Sequence, residues 1–247
     1  NSFSTSLSVM LLQSVVLLIL ILGCTNGIEC PEVRNTILDS ATRADIVNRH
    51  NELRSMLARG TVTCKDRAPL KAGKNVYQLH WDCDLEEKAQ NWADLCLFKH
   101  SPASYREAGE NLYEYLSSRD IDPLEWNATE VVNTWWSEVT NYDVISNPSN
   151  KFSERVLEQA GHWSQQAWGA TTSIGCGIKI CSWLEWNIII VVCHYRVPGN
   201  VFGEPIFEWG DGCSEDSDCT TYEGSKCNAT TKLCINDQSL ANRLIIH

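Results

Sequence analysis

The chain has no charged residue before Glu29, no Cys-x-x-Cys pair, and no Gly-x-Ser-x-Gly, His-Glu-x-x-His or phosphate-binding loop. Each absence excludes something. Without paired cysteines two residues apart there is no zinc-finger spacing. Without the serine elbow or the paired-histidine helix, the two most readable hydrolase signatures are missing. Positive charge is scarce as well: 20 Lys and Arg stand against 31 Asp and Glu, a formal net charge of −11. Such a chain has no electrostatic footprint for a phosphate backbone, so nucleic acid and anionic membrane surfaces are poor partners. Acidity also keeps a secreted protein soluble, which is the plainer reading of it.

What the N-terminus has instead is an apolar run over residues 7–22, followed by Gly23, Thr25 and Gly27. This reads as a secretory signal peptide over residues 1–27, cut after Gly27, with Met10 as a candidate start. An uncleaved anchor is the alternative, and Leu22-Gly23-Cys24 also mimics a lipoprotein cleavage site. Twelve cysteines agree with an oxidising, extracellular compartment, because cytosolic thiols stay reduced. Loss of Cys24 with the signal leaves an odd number. Asn127-Ala128-Thr129 and Asn228-Ala229-Thr230 are acceptors for N-glycosylation at Asn127 and Asn228, whereas Asn147-Pro148-Ser149 is blocked by its proline.

Residues 28–208 are long enough for one domain with a core. Ile46, His50, Leu53 and Leu57 repeat at helical spacing within residues 40–60. Thr42 with Asp45 forms a candidate capping box, and Gly60 is a stop signal. His50 lies on the apolar stripe and reads as a hydrogen-bonded core histidine. A second helix is expected over residues 84–98, with Leu85, Ala89, Trp92 and Cys96 on one face, and a third over residues 128–142. On the third, Glu138 falls at the margin of the apolar arc; by sequence alone it reads as a solvated boundary residue rather than a cleft residue. A short helix then carries His162. Residues 174–181 and 187–196 read as two strands joined by a short turn. Helices followed by strands suggest an α+β layered domain. The ten tryptophans read as core rather than as a ligand platform.

Residues 209–235 change character: Cys213, Cys219, Cys227 and Cys234 sit among Ser, Thr, Asp, Glu and Gly. A segment so poor in apolar residues must be held by bridges. Of the three pairings that four cysteines allow, Cys213 with Cys227 and Cys219 with Cys234 is favoured. The tail over residues 236–247 lacks the hydrophobic run of a lipid anchor.

Several motifs resemble those of the CAP superfamily, which includes cysteine-rich secretory proteins, venom antigen 5 proteins and the venom-allergen-like or activation-associated secreted proteins of nematodes. They are His50-Asn51-Glu52-Leu53-Arg54, Gly109-Glu110-Asn111, Gly161-His162-Trp163 and the run from Val191 to Asn200 that contains Cys193-His194-Tyr195 and ends Pro198-Gly199-Asn200. The resemblance covers residues 40–208. It implies a three-layer α-β-α sandwich, followed here by a short disulfide-rich C-terminal extension like the family's hinge. It implies a central cleft lined by His100, Glu110, Glu138 and His162. The two histidines would hold zinc or another divalent cation weakly, with the glutamates as a supporting shell. It implies the bridges Cys96–Cys181 and Cys176–Cys193; Cys83 would then pair with Cys30 or Cys64. The family implies a secreted, non-enzymatic binder of host immune components, or of a lipid or sterol. A metal-dependent protease or esterase using the same cleft is the alternative. Gln166 and Val197 depart from the family pattern, so packing under His162 is expected to differ.

Overall fold

Asp39 starts the first helix. Its Oδ1 accepts hydrogen bonds from the Thr42 amide and the Thr42 hydroxyl, both at 2.7 Å, and α1 runs Ser40–Ala58. The expected Thr42/Asp45 box is therefore not the cap. A short carboxylate one residue before the first turn satisfies the orphan amides directly and suits the positive end of the helix. At the other end Gly60 adopts φ +66°, with the Gly60 amide on Leu57 O and the Thr61 amide on Met56 O, a Schellman closure. The structure, a computed structural model, describes residues 27–123 and 126–236. The signal-peptide reading, Cys24 and the tail beyond Asn236 lie outside the described residues.

After the short strands β1 (Gly73–Lys74) and β2 (His80–Trp81), helix α2 spans Cys83–Ala93 and is capped by Asp82. It stops well before residue 98. Cys96 takes a left-handed backbone (φ 55°) and is bonded to Cys181, which turns the chain out of the helix. A single turn, α3 (Ala103–Arg106), precedes β3, a nine-residue strand over Gly109–Ser117. Helix α4 spans Ala128–Ser137, and its expected continuation tightens into a 3-10 turn at Glu138–Asn141. Helix α5 (Glu154–Ala167) is broken at Ala160, whose φ of −154° is not helical. The long hairpin β4 (Ser173–Trp183) and β5 (Trp186–Arg196) completes a four-stranded sheet in the order β2-β4-β5-β3, with β2 parallel to β4 and the other pairs antiparallel.

Alternation along β5 builds the three layers. Ile189, Val191, Cys193 and Tyr195 face a large core with Ile46, Leu53, Val131 and Trp163 from α1, α4 and α5. Ile188, Ile190 and Val192 face Ala89 and Ala93 of α2. Helix α2 packs so closely that a Cβ on Gly177 would lie 2.3 Å from the Gln90 backbone. Trp135, Trp136, Trp163 and Trp168 are all buried in the larger core.

Polar groups brace this core. His50 is fully buried between Ile46 O (2.8 Å) and the Tyr195 hydroxyl (3.1 Å), and burial lowers its pKa to about 4, so the ring is neutral. The buried Gln166 donates to Val132 O and lies against His50 rather than under His162. Val197 is partly exposed, and its carbonyl accepts from Thr171 Oγ1. The guanidinium of Arg54, with no solvent exposure, donates to the carbonyls of Tyr77, Gln166, Trp168, Gly169 and Thr171.

Bridges join Cys30–Cys83, Cys96–Cys181, Cys176–Cys193, Cys213–Cys227 and Cys219–Cys234; Cys64 is a buried free thiol. The boundary expected between residues 208 and 209 falls inside β6 (Glu208–Trp209), which pairs with β1. The extension carries a small hairpin, β7 (Lys226–Asn228) and β8 (Leu233–Ile235). More than bridges holds it. Tyr77, fully buried, sits among Cys213, Cys219 and Cys234, its hydroxyl 3.0 Å from Ser225 Oγ, while the Cys234 amide donates to Val76 O.

Candidate functional site: a cleft with two histidine–carboxylate pairs

The cleft opens where β3 begins and β5 ends, and has a volume of about 760 Å³. His100, Glu110, Glu138 and His162 all line it, so the structure brings the four sequence-named residues together. They arrive in two separate pairs.

The first pair is built on the sheet. Gly109 admits the chain to the cleft wall: a Cβ there would land 1.9 Å from Gln165 Oε1. Glu110 follows, its side chain fully buried. Its Oε1 accepts from His100 Nδ1 (2.7 Å) and the Ser101 amide (2.9 Å); its Oε2 accepts from Ser101 Oγ (2.7 Å) and His194 Nε2 (2.9 Å). Arg106 Nη1 stands 3.9 Å from Oε1. Burial, the largest influence, works to raise the carboxyl pKa, but the hydrogen bonds from His100, His194 and Ser101 together with the His194 imidazole hold it down at about 2. An ionised carboxylate only accepts, so Nδ1 of His100 and Nε2 of His194 carry the protons.

The second pair is built on the break in α5. A helix that restarts after Ala160 exposes fresh amide donors at its first turn. Glu138 Oε2 accepts from the His162 amide (2.9 Å) and the Trp163 amide (3.1 Å), while Oε1 accepts from His162 Nδ1 (2.6 Å). Glu138 thus caps the second half of α5 and aims its imidazole with one carboxylate. Trp135 stacks on the ring at a centroid distance of 5.9 Å, and Asn111 Nδ2 donates to the His162 carbonyl. The solvated-boundary reading of Glu138 is therefore corrected. Residues 138–141 leave the α-helical path just there, which turns the side chain off the helix margin and onto α5.

The Pro198-Gly199-Asn200 segment closes the wall. The Gly199 amide donates to Gln165 Oε1, and Asn200 bonds both Ser164 Oγ and Gly161 O.

In both pairs Nδ1 is committed to a carboxylate, and Nε2 of His100 and of His162 has no protein partner among the described residues. This is the arrangement by which a carboxylate orients an imidazole for a metal, and it fits zinc or a similar divalent ion. Among the described residues the only tight group of three ligand-type atoms is the sulfurs of Cys213, Cys219 and Cys234, all engaged in disulfides.

Sequence reasoning missed His194. It lies opposite Glu110 in the β3–β5 register, is fully buried, and burial lowers its pKa despite the Glu110 contact. The signal lay in strand alternation: Glu110 and His194 share the face of Leu112 and Val192, a fact visible only once the two strands are paired. Of the two Asn-x-Thr asparagines, Asn127 is exposed and caps α4, and Asn228 is half-buried with its Oδ1 on the Thr230 and Thr231 amides.

Comparison with known proteins places this architecture. The family model described as the cysteine-rich secretory protein family, CAP, matches residues 47–195. Venom allergen 5 of Microctonus hyperodae is 34% identical over 184 residues, covering 73% of this chain and 77% of its own. The solved structure of BmVAL-1 superposes with a TM-score of 0.75 at 39% identity, over 85% of this chain and 99% of its own. NaASP2, solved with Zn2+, gives a TM-score of 0.66 at 26% identity, over 83% and 100% of the respective chains.

Proposed function

The chain belongs to the CAP family of cysteine-rich secretory proteins, and from that premise we propose that it is a secreted, non-enzymatic binding protein whose cleft holds a divalent cation through His100 and His162. Its partner is a host extracellular protein or a lipid. The observation that carries the metal reading is the pair of cleft-lining imidazoles, each pinned at Nδ1 by its own carboxylate and each with Nε2 free of a protein partner among the described residues. A bound zinc would supply Lewis acidity and a polarised water. The solution of NaASP2 with Zn2+ supports the choice of ion.

Two features favour binding over turnover. The described residues that line the cleft include no serine, threonine, cysteine or lysine, so no hydroxyl, thiol or amine nucleophile faces it. Glu110, held at about 2, is a poor general base near neutral pH, where a matched base titrates much closer to 7. The oxidising location is supported by five bridges and by the secreted and venom proteins among the relatives.

Zinc titration calorimetry tests the site. His100→Ala with His162→Ala is expected to abolish binding. Glu110→Gln with Glu138→Gln is expected to weaken it by about 10–100-fold, the usual effect of removing an outer-shell partner. Unchanged zinc affinity in the double histidine variant would place the metal elsewhere. Peptide or ester turnover by the parent, lost in the double glutamine variant, would replace the binder with a metal-dependent hydrolase.

A further inference from the structure

The tip of the β4–β5 hairpin is made of residues that a turn does not call for. Trp183 pairs with Trp186 across the strands, leaving Leu184-Glu185 as a two-residue loop. Leu184 takes φ 56°, a left-handed position that favours glycine or asparagine. Leu184 is 88% exposed, Trp183 70% and Trp186 47%. The base beneath them is fixed: Asn187 donates to Arg119 O and Asp120 Oδ1 and accepts from Ser182, and Cys181 is bonded to Cys96. Exposure here is thus held in place by the fold and is not slack in a loop.

The bridge extends the patch. Cys181 and Trp183 point to the same face of β4, two residues apart, and Cys96 brings Leu95, Leu97 and Phe98, each about half exposed, to that end of the sheet. Helix α2, which covers this face further down, stops at Ala93. Among the described residues, the distal end of the sheet therefore has apolar side chains with no helix over them.

We propose that this end docks on the surface of a phosphatidylcholine bilayer. The shape is a convex apex, suited to entering a fluid interface. Indoles favour the headgroup level because the ring is apolar and its N–H is wet. Charge selects the occupant. Glu185 stands at the apex of a chain with net charge −11, which opposes anionic lipid and opposes a second copy presenting the same carboxylate. Glu185 adjoins Trp186 in the chain at this tip, and a carboxylate with indoles nearby suits the quaternary ammonium of choline, a cation bound by aromatic faces. Among the described residues no helix is long and apolar enough to cross a membrane. The cleft lies at the opposite end of β3 and β5, eight residues or about 27 Å away at strand rise, so it would face away from the lipid. This surface is independent of the metal reading of the cleft.

The test uses secreted protein with vesicles of pure phosphatidylcholine or pure phosphatidylglycerol, read by sedimentation and by tryptophan emission. The parent is expected to bind phosphatidylcholine with a blue shift and to leave phosphatidylglycerol unbound. Trp183→Ala with Trp186→Ala should weaken binding by roughly tenfold or more, since burial of one large apolar side chain exceeds the free energy of a tenfold change. That variant should keep the parent's thermal transition and zinc titration, whatever the latter is. Glu185→Lys should shift preference toward phosphatidylglycerol. No partition of the parent, equal partition of the double variant, or a parent preference for phosphatidylglycerol would overturn the proposal. So would self-association in sedimentation velocity that the double variant removes, which would assign the patch to a second copy.

Discussion

Glu110 and Glu138 hold two imidazoles in the same cleft by the same Nδ1 contact, yet their supports are unlike. Glu110 sits on a strand, is fully buried, and receives two histidines, a hydroxyl and an amide. Glu138 sits on a 3-10 turn with its side chain 26% exposed, and receives one histidine and two amides of a helix end. One half of the cleft is therefore part of the core, and the other is a helix cap that lines the same cleft. Cleft geometry is tied to the stability of the core in the first half and separable from it in the second.

The contrast can be broken most severely at Glu110. Glu110→Ala leaves His194 buried without its partner and is expected to cost about 3–5 kcal/mol, the range for removing one member of a buried charged network. Urea unfolding reads it; a loss below that of Glu138→Ala would erase the distinction. The next effect is pH-dependent. Glu110 is depressed in the folded state from 4.5 to about 2, so its contribution is complete above 4.5 and is lost as pH falls through 2. That contribution is up to about 3 kcal/mol. Unfolding curves between those limits should flatten in Glu110→Gln relative to the parent, and equal slopes would show that the carboxylate is not depressed. The mildest change is Glu138→Ala, expected to cost about 1–2 kcal/mol as loss of a cap. It should speed amide exchange at His162 and Trp163 while leaving β3 protected. Uniform acceleration across both halves would mean that the cleft unfolds as one unit.

How much of this was legible in sequence follows the same division. Motif resemblance named His100, Glu110, Glu138 and His162, but it could not say what each does mechanically. Helix periodicity located α1, α2 and α4, whereas their ends depended on tertiary events: the Cys96–Cys181 bond for α2, and the turn onto α5 for α4. His194 was hidden because its role needs the β3–β5 register, a long-range pairing that one-dimensional spacing does not contain. The buried ion pair of Arg43 with Glu86, which also receives the Trp81 indole N–H, was unread for the same reason. The composition of the extension pointed to its disulfides, but its docking depends on Tyr77, a residue some 130 positions away from it in the chain.

Arg54 has a consequence for how this fold tolerates change. From the last turn of α5 at Gln166 to Thr171, just before β4, the chain curls around a single cation much as a crown ether wraps its ion. What the guanidinium recognises there is carbonyl oxygen, which every residue type supplies. The path of this segment is thus set from inside by a side chain of α1. Its own side chains are left free to serve the core, as Ala167 and Trp168 do.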